Sequence, residues 1–255
     1  MKKLIVGLFV LASLPVIFIF GCANSGPSGP SINGPGSPTQ QLTVTPPTQV
    51  QATVNLGAAA NYGVLAYSKI TNSGPTTICG DLGIYPLSSV GGGIVLSCGG
   101  VREIDNGTAN TAKLNLGTAY TDAAGRTGGS TLSPNADIGG LTLYPGLYKE
   151  TGDLSISSAD LTLNGNGSST SVFIFQTAGI LNVTSGRHVI LTNGATAANI
   201  FWQVAGYCSL GTTVSFMGTI MAYTSVTLNT GAVLHGRALA ENGDVTLLTN
   251  TITVP

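Results

Sequence analysis

One nine-residue pattern recurs three times in the second half of the chain, and it constrains the fold more than any other feature. It occupies residues 181–189, 208–216 and 226–234, and a shortened copy occupies residues 245–252. In each full copy the first, third and last residues are apolar, so we expect them to point inward. The copies begin 27, 18 and 19 residues apart, which is typical of stacked coils whose turns vary in length.

Short apolar strands surround this repeat from residue 141 to residue 255, with turns of Gly, Asn, Ser and Thr between them. Most Asn-Gly pairs fall in longer polar turns, whereas Asn242-Gly243 is compatible with one local hairpin. The general pattern does not favour antiparallel pairing. The sequence therefore predicts a mainly β protein built as a right-handed parallel β-solenoid.

One segment, residues 105–125, departs from the strand pattern. Its apolar residues recur at the i, i+3, i+4 spacing of a helix. Asp105 or Thr108 can serve as N-cap, and Gly125 suits the C-terminus. We therefore predict one long α-helix that packs closely against a neighbouring surface through small side chains. The predicted stripe consists of Ala109, Ala112, Leu116, Ala119, Tyr120 and Ala123.

The composition excludes several classes of protein. Charged residues make up 7% of the chain and apolar residues 43%, whereas disordered chains combine low hydrophobicity with high charge. The net charge is −1 and the basic residues are not clustered, so we expect no nucleic-acid partner. The surface must instead carry small uncharged polar groups.

Residues 1–22 are typical of an export signal, with Lys2 and Lys3 before an apolar run that ends at Phe20. Residues 19–22 resemble a bacterial lipobox, in which Cys22 is acylated, although Phe20 is an atypical residue there. Two alternatives remain open: a lipoprotein of the cell envelope, in the outer membrane, anchored through Cys22, or a secreted protein released by an ordinary signal peptidase. Both alternatives place the chain in a compartment that permits disulfides.

Residues 23–51 form an uncharged linker rich in Pro, Gly, Ser and Thr. An extended linker of this length reaches about 90 Å at about 3.1 Å per residue, enough to hold a domain away from a surface. We therefore place the folded domain at residues 52–255.

Three cysteines follow Cys22. Cys79 and Cys98 lie 19 residues apart, each beside a glycine in a loop-like stretch, and we predict a disulfide between them. Cys208 occupies an inward position of the repeat and is predicted to be a buried thiol. No His or second Cys lies at ligand spacing, so we expect no metal site and no cofactor.

The chain resembles a known family, the microbial ice-binding proteins, which have a discontinuous β-solenoid with a single helix alongside. The matching motifs cover most of residues 56–255, and in this order they are highly specific. They are residues 56–59, 61–66, 84–86 with Gly93, 119–126, 143–148, 172–176, 199–204, 216–220 and 236–240.

The resemblance implies ice as the ligand, bound by a monomer through a flat solenoid face, in some members through repeats of the form T-A/G-x-T/N. Here the corresponding stretches are residues 185–188, 212–215 and 230–233, with residues 249–251 in the short copy. Of these, residues 230–233 begin as the motif does, and they end in Val. The predicted ice-binding residues are Thr184, Ser185, Gly186, His188, Thr212, Thr213, Ser215, Thr227, Asn229, Thr230, Gly231, Val233, Thr249, Asn250 and Thr251.

The chemistry of these residues fits ice. Neighbouring strands lie about 4.7–4.9 Å apart, close to an oxygen repeat of the ice lattice, so a ladder of equivalent side chains repeats at nearly that spacing. A Thr hydroxyl anchors water while its methyl group orders the surrounding shell. Residues 154–255 contain sixteen Thr and five charged residues. Thr is also a common outward strand residue, so the family motifs decide the interpretation.

Two other classes of protein use the same fold, enzymes and cell-surface proteins. An enzyme on this fold needs paired carboxylates or a basic cluster in a groove. The close pairs, Glu150 with Asp153 and Glu241 with Asp244, lie in Gly-containing turns and are predicted to be solvated, and His188 and His235 are predicted to be surface residues, so we predict no catalytic residue. The alternative function is a cell-surface adhesin or structural β-solenoid protein without ice affinity, which export and a tether suit equally well.

Overall fold

The computed structural model describes residues 44–255. The predicted signal peptide, Cys22 and most of the predicted linker belong to residues 1–43 and lie outside the described residues. The described part contains twenty-two strands, one α-helix (Gly107–Gly125) and two short 3-10 helices (Gly57–Asn61 and Ala197–Asn199). The strands are β1 (Tyr62–Ala66), β2 (Lys69–Ser73), β3 (Thr76–Cys79), β4 (Asp81–Ile84), β5 (Ser89–Val90), β6 (Ile94–Ser97), β7 (Arg102–Ile104), β8 (Ser130–Thr131), β9 (Thr142–Leu143), β10 (Gly146–Glu150), β11 (Leu154–Ile156), β12 (Leu161–Asn164), β13 (Phe173–Thr177), β14 (Leu181–Val183), β15 (Val189–Thr192), β16 (Ile200–Val204), β17 (Cys208–Leu210), β18 (Ser215–Ala222), β19 (Val226–Leu228), β20 (Val233–Ala240), β21 (Val245–Leu248) and β22 (Thr251–Thr253).

These strands form three sheets that enclose one core, and every strand pair among the described residues is parallel. The seven-stranded sheet has the order β11-β14-β17-β19-β21-β2-β5, and the three-stranded sheet has the order β15-β12-β9. The twelve-stranded sheet covers two sides, because its long strands β18 and β20 run from one side to the next. The change occurs at Gly218 and Gly236, where a Cβ atom on Gly236 would lie 1.8 Å from the carbonyl oxygen of Gly218.

The order of the coils in the stack differs from their order in the sequence. The C-terminal strands β20, β21 and β22 pair with the N-terminal strands β1, β2 and β3. The coil of β4, β5 and β6 then extends the stack beyond β1, β2 and β3. The predicted discontinuous β-solenoid is therefore confirmed.

The repeat aligns as the sequence predicts. Leu181, Cys208, Val226 and Val245 are consecutive partners across four strands, and the first, third and last residue of every copy is buried. The alternative of a hairpin at Asn242-Gly243 is wrong, because this turn joins β20 and β21, which belong to different sheets.

Aromatic side chains stack along the inside of the solenoid. The ring centroids of Tyr148 and Phe175 are 5.3 Å apart, those of Phe175 and Trp202 are 3.9 Å apart, and those of Trp202 and Phe216 are 4.9 Å apart. The Trp202 indole N–H donates to the Met217 carbonyl oxygen at 2.9 Å, so this buried polar group has a partner. The stack connects four successive coils.

The α-helix packs along the outside of the twelve-stranded sheet. Its buried residues include the predicted alanines and Leu116, which contact outward residues of the sheet such as Phe201 and Leu239. Both predicted N-cap residues, Asp105 and Thr108, are wrong. Asn106 caps the helix, and its side chain accepts a hydrogen bond from the Ala109 amide at 2.9 Å. Asp105 instead has a positive φ of 46°, so its backbone forms the turn before the cap.

The cysteines lie as predicted. Cys79 and Cys98 form a disulfide that ties β3 to the turn after β6. Cys208 is free and fully buried, and burial raises the pKa of its thiol far above its usual value.

Residues 44–56 run along the domain before the first strand. Val44 packs against the main core, and Val54 and Leu56 are buried beneath the helix. Arg126 donates to the carbonyl oxygens of Ala52 and Thr53 at 2.9 and 3.3 Å. Residues 44–51 therefore contact the domain although the sequence assigned them to the linker, and the boundary at residue 52 stays a prediction.

Candidate functional site

The seven-stranded sheet presents one column of small polar residues at the centre of its outer side. Each of these residues except Thr71 lies between two buried apolar residues of its strand, so the alternation of the strand directs it outward. Thr71 has buried Ile70 before it and Asn72 after it, and its pairing with Thr246 places it in the same column. We call this sheet the hydroxyl face. In stacking order its central column is Ser155, Asn182, Ser209, Thr227, Thr246 and Thr71.

The register of this column is unbroken. Each residue is the direct Cα partner of the next, from Ser155 to Thr71, and no charged residue interrupts it. Because parallel strands lie about 4.7–4.9 Å apart, the column places five hydroxyl groups and one amide at nearly even spacing over six coils.

Charged side chains lie at one edge of the hydroxyl face, two residues before the central column. They are Asp153, Asp244 and Lys69. The Asp153 carboxylate accepts a hydrogen bond from the Ile180 amide at 3.0 Å, and the Asp244 carboxylate accepts one from the Ser225 hydroxyl. Both carboxylates thus hold the turns of adjacent coils together.

Asp137 closes the end of the hydroxyl face beside Ser155. Burial raises the pKa of its carboxyl, but hydrogen bonds from the Ser157 hydroxyl and from the Ser157, Gly139 and Ser158 amides outweigh burial and lower it. The four donors lie 2.6–2.9 Å from the carboxylate oxygens. This end of the stack is therefore fixed by a carboxylate that stays ionised.

A sharp corner follows the hydroxyl face in each coil. Gly186, Thr213, Gly231 and Thr249 occupy equivalent positions there, and all four have positive φ, between 55° and 72°. Backbone hydrogen bonds connect successive corners, from Gly186 to Thr212 and from Thr213 to Thr230, at 2.9 and 3.0 Å. The corner residues are therefore held in register like the strands.

The structure separates the predicted ice-binding residues into three outer groups and one inner residue. On the hydroxyl face lie Thr184, Thr227 and Asn229. At the corner lie Ser185, Gly186, Thr212, Thr213, Thr230, Gly231 and Thr249. Beyond it, on the side that carries the three-stranded sheet, lie His188, Ser215, Val233 and Thr251.

Asn250 requires a correction, because its side chain points into the core and is 3% exposed. Its amide nitrogen donates to the carbonyl oxygens of Asn229 and Ala232 at 2.9 and 3.1 Å, and its amide oxygen accepts from the Leu248 amide. Asn250 thus satisfies the backbone of the corner, and it cannot contact an external surface.

The side that carries the three-stranded sheet is less uniform than the hydroxyl face. We call it the third face, and its outward residues include Thr162, Ile190, Met217, His235 and Thr253. Apolar side chains and an imidazole thus interrupt its Thr residues.

Sequence reasoning missed most of the central column. Ser155, Asn182, Ser209, Thr246 and Thr71 were not predicted, although the first four are each the polar residue in an apolar-polar-apolar triplet. That alternation was the available signal. The T-A/G-x-T/N motif instead pointed to the turns, whereas the column lies in the strands.

Two titratable residues differ from the prediction that they are solvated. Glu241 is 22% exposed, and its carboxylate pairs with the Lys113 ammonium at 3.5 Å. Glu150 is buried, not solvated, and its carboxylate accepts hydrogen bonds from the Asn135, Ala136 and Gly152 amides at 2.9–3.2 Å. It holds the segment at residues 135–136 against the turn that follows β10. His188 and His235 are exposed, as predicted.

Residues 44–255 contain no cluster of three or more His, Cys, Asp or Glu that could hold a metal ion. No helix within these residues is both long enough and apolar enough to cross a membrane.

A discontinuous parallel β-solenoid with one flanking helix and one face whose central column is uncharged and rich in hydroxyl groups defines the structural class of this protein. Residues 64–253 match the family described as Ice-binding-like. The chain belongs to this family.

Individual relatives agree with the family match. An ice-binding protein of Colwellia sp. is 40% identical over 218 residues, covering 79% of this chain and 84% of the relative. One of Flavobacterium frigoris (strain PS1) is 41% identical over 217 residues, covering 79% of this chain and 76% of the relative. The crystal structure of an ice-binding protein from an Antarctic biological consortium has a TM-score of 0.80 at 46% identity, covering 83% of this chain and 95% of that chain.

Proposed function

We propose that this protein adsorbs to ice through the hydroxyl face, and so gives thermal hysteresis and inhibits ice recrystallisation. The observation that carries the proposal is the unbroken register of the central column from Ser155 to Thr71. The relatives, which are named ice-binding proteins, support the same ligand. They do not favour the alternative of an adhesin without ice affinity.

The physical basis is a match between two lattices. Hydroxyl groups at the strand spacing hold water at nearly the spacing of ordered ice, and the Thr methyl groups order the water around them. Adsorbed molecules pin the ice front, so growth continues as curved bulges whose curvature lowers the local freezing point. Adsorption needs no turnover, cofactor or partner chain, and we propose a monomer without catalytic activity.

The hydroxyl face suits this role better than the third face. The two faces lie on different sides of the solenoid, so a flat crystal plane can rest on one of them at a time. On the third face Ile190, Met217 and His235 replace hydroxyl groups, and long side chains disturb an even water lattice. We therefore place His188, Ser215, Val233 and Thr251 outside the contact, and we place the corner residues at its margin.

A pair of matched variants tests this assignment. Thr227→Tyr inserts a ring into the centre of the hydroxyl face, and Thr162→Tyr inserts the same ring into the third face. We expect Thr227→Tyr to reduce the thermal hysteresis of the purified full chain sharply, because the ring holds a flat crystal plane away from the neighbouring hydroxyl groups. Thr162→Tyr should retain the wild-type value, and Thr230→Tyr at the corner should lie between the two.

If Thr162→Tyr lost thermal hysteresis and Thr227→Tyr kept it, the ice contact would lie on the third face. If the wild-type chain showed no thermal hysteresis, the proposal would be wrong. Circular dichroism and the melting temperature of each variant separate loss of adsorption from loss of folding.

We also propose that the chain is exported and held at the cell envelope through acylated Cys22. The support comes from the sequence of residues 1–22. Mass spectrometry of the mature N-terminal peptide tests this proposal. A lipid-modified Cys22 as first residue supports it, whereas an unmodified N-terminus indicates a secreted protein.

A further inference from the structure

A groove of about 410 Å³ lies where the helix meets the corner between the twelve-stranded sheet and the hydroxyl face. Tyr67 and Tyr85 line it from the solenoid, and Asn110 and Leu114 line it from the helix. The volume falls within the range of small-molecule sites, about 300–1,000 Å³. We call this space the tyrosine groove.

The two tyrosines that line the groove belong to a column of equivalent positions, of which three carry a tyrosine and one carries a glutamate. Tyr223, Glu241, Tyr67 and Tyr85 each follow directly after a strand of the twelve-stranded sheet, on four successive coils. Tyr67 is 39% exposed and Tyr223 is 49% exposed, and the Tyr223 ring lies 5.9 Å from that of Tyr120 on the helix. Phenol rings therefore follow the corner beyond the groove itself.

The floor of the groove is polar but balanced in charge. Lys113 is 7% exposed and donates to the carbonyl oxygens of Ala240 and Glu241 at 2.7 and 2.6 Å. Its ammonium group lies 3.5 Å from Glu241 Oε2 and 5.8 Å from the centre of the Tyr67 ring. The ion pair cancels the charge of both groups, so the floor offers no net attraction to an anion or a cation.

Part of the carboxylate on this floor stays open to the groove. Glu241 Oε2 is buried against the Lys113 ammonium, whereas the Glu241 side chain as a whole is 22% exposed. Gly117 allows the carboxylate to approach the helix, since a Cβ there would lie 2.9 Å from Glu241 Oε1. The amides of Asn110 and Asn242 add donors and acceptors beside it.

We propose that the tyrosine groove binds a neutral oligosaccharide. The flat C–H face of a sugar ring packs on the exposed phenol rings, while its hydroxyl groups donate to Glu241 and exchange hydrogen bonds with Asn242. The balanced charge favours a neutral sugar over a uronic acid or a phosphate. The continuation of the column to Tyr223 fits a chain of several sugars better than a single ring, and the small volume disfavours a folded protein element.

The residues that line the groove do not include any residue of the central column, so the sugar site and the ice contact share no side chain. This second activity does not depend on ice adsorption, and each is measured separately.

Saturation-transfer NMR of the purified full chain with cellohexaose, chitohexaose and laminarihexaose tests the proposal, with hexagalacturonic acid as the charged comparison. We expect at least one neutral hexasaccharide to bind, with the strongest transfer to ring C–H protons, and to bind more tightly than its disaccharide. Tyr67→Ala should weaken this binding roughly ten-fold, the value of one stacked ring, and Tyr67→Phe should preserve it. Tyr144→Ala removes an exposed tyrosine outside the groove and should change nothing.

If no saturation reaches any of the three neutral sugars, the proposal is overturned. Equal binding by Tyr67→Ala, or tighter binding of the charged sugar, would overturn it as well. Thermal hysteresis of Tyr67→Ala should equal that of the wild type, because Tyr67 lies outside the central column. This readout also shows that the variant is folded.

Discussion

Thr213 and Gly231 occupy the same corner position on adjacent coils, and both have a left-handed backbone, with φ of 57° and 72°. Glycine adopts this conformation without strain, whereas a β-branched residue rarely does. The same conformation recurs at Thr249, with φ of 55°. Two coils therefore keep a strained threonine where two others have glycine.

Replacing these threonines by glycine should stabilise the fold while weakening ice adsorption. Relief of strain, worth about 1–3 kcal/mol, exceeds the extra entropy cost of glycine, about 0.5–1 kcal/mol. We expect Thr213→Gly and Thr249→Gly each to raise the melting temperature by roughly 2–4 °C, measured by calorimetry, and the double variant to show lower thermal hysteresis. Asn166→Gly, a left-handed position elsewhere in the fold, is the control and should leave hysteresis unchanged. Destabilisation by both glycine variants would show that the threonines serve packing instead.

The buried Lys113 should make stability rise with pH in the alkaline range. Burial lowers the pKa of Lys113 from 10.5 to about 8, although Glu241 opposes the shift. Between these values the unfolded chain keeps a proton that the folded chain has released, so the free energy of unfolding increases with pH, by about 3 kcal/mol in total.

Urea denaturation at several pH values from 7.5 to about 10 measures this slope. Tyr62 and Tyr148 act in the opposite direction above about pH 10, because burial raises the pKa of each to about 12. Lys113→Met should lack the rise, and identical slopes in variant and wild type would contradict this account of Lys113.

The disulfide should stabilise the end of the stack without affecting ice adsorption. It closes a loop of 19 residues between Cys79 and Cys98, for which about 3 kcal/mol is expected. We expect Cys79→Ser/Cys98→Ser to lower the melting temperature by roughly 6–12 °C and to speed amide exchange first in residues 80–104. Thermal hysteresis at low temperature should persist. Uniformly faster exchange over the whole domain would instead indicate that this end is not an independent unit.

The contact between Gly218 and Gly236 should tolerate no side chain. Gly236→Ala would place a Cβ atom 1.8 Å from the Gly218 carbonyl oxygen, so the coils must separate, at a cost of about 3 kcal/mol or more. Gly125→Ala, where an added Cβ meets nothing within 4 Å, is the matched control. A variant Gly236→Ala that melts like Gly125→Ala would show that the coils can shift at little cost.

Local patterns were sufficient to predict the coil. The alternation of apolar residues gave the inward positions of all four repeat copies, and the spacing of alanines gave the helix. Both patterns depend on residues close together in the sequence, and the structure confirms both.

The composition of the candidate site was harder to predict, because it depends on residues far apart in the sequence. Thr71 completes the central column beside Thr246, a pairing that exists because the first and last coils meet. Glu150 and Asn250 were misplaced for a related reason: their burial is offset by backbone groups of neighbouring coils that no local pattern reveals.

Uptake into slowly growing ice tests the hydroxyl face most directly. The purified full chain is compared with Ser209→Lys/Thr246→Lys, which charges the hydroxyl face, and with Thr162→Lys/Thr253→Lys, which charges the third face. We predict that the ice fraction takes up the wild type and the third-face variant and excludes the hydroxyl-face variant. Uptake of the hydroxyl-face variant at the wild-type level, or exclusion of the folded wild type, would contradict the account.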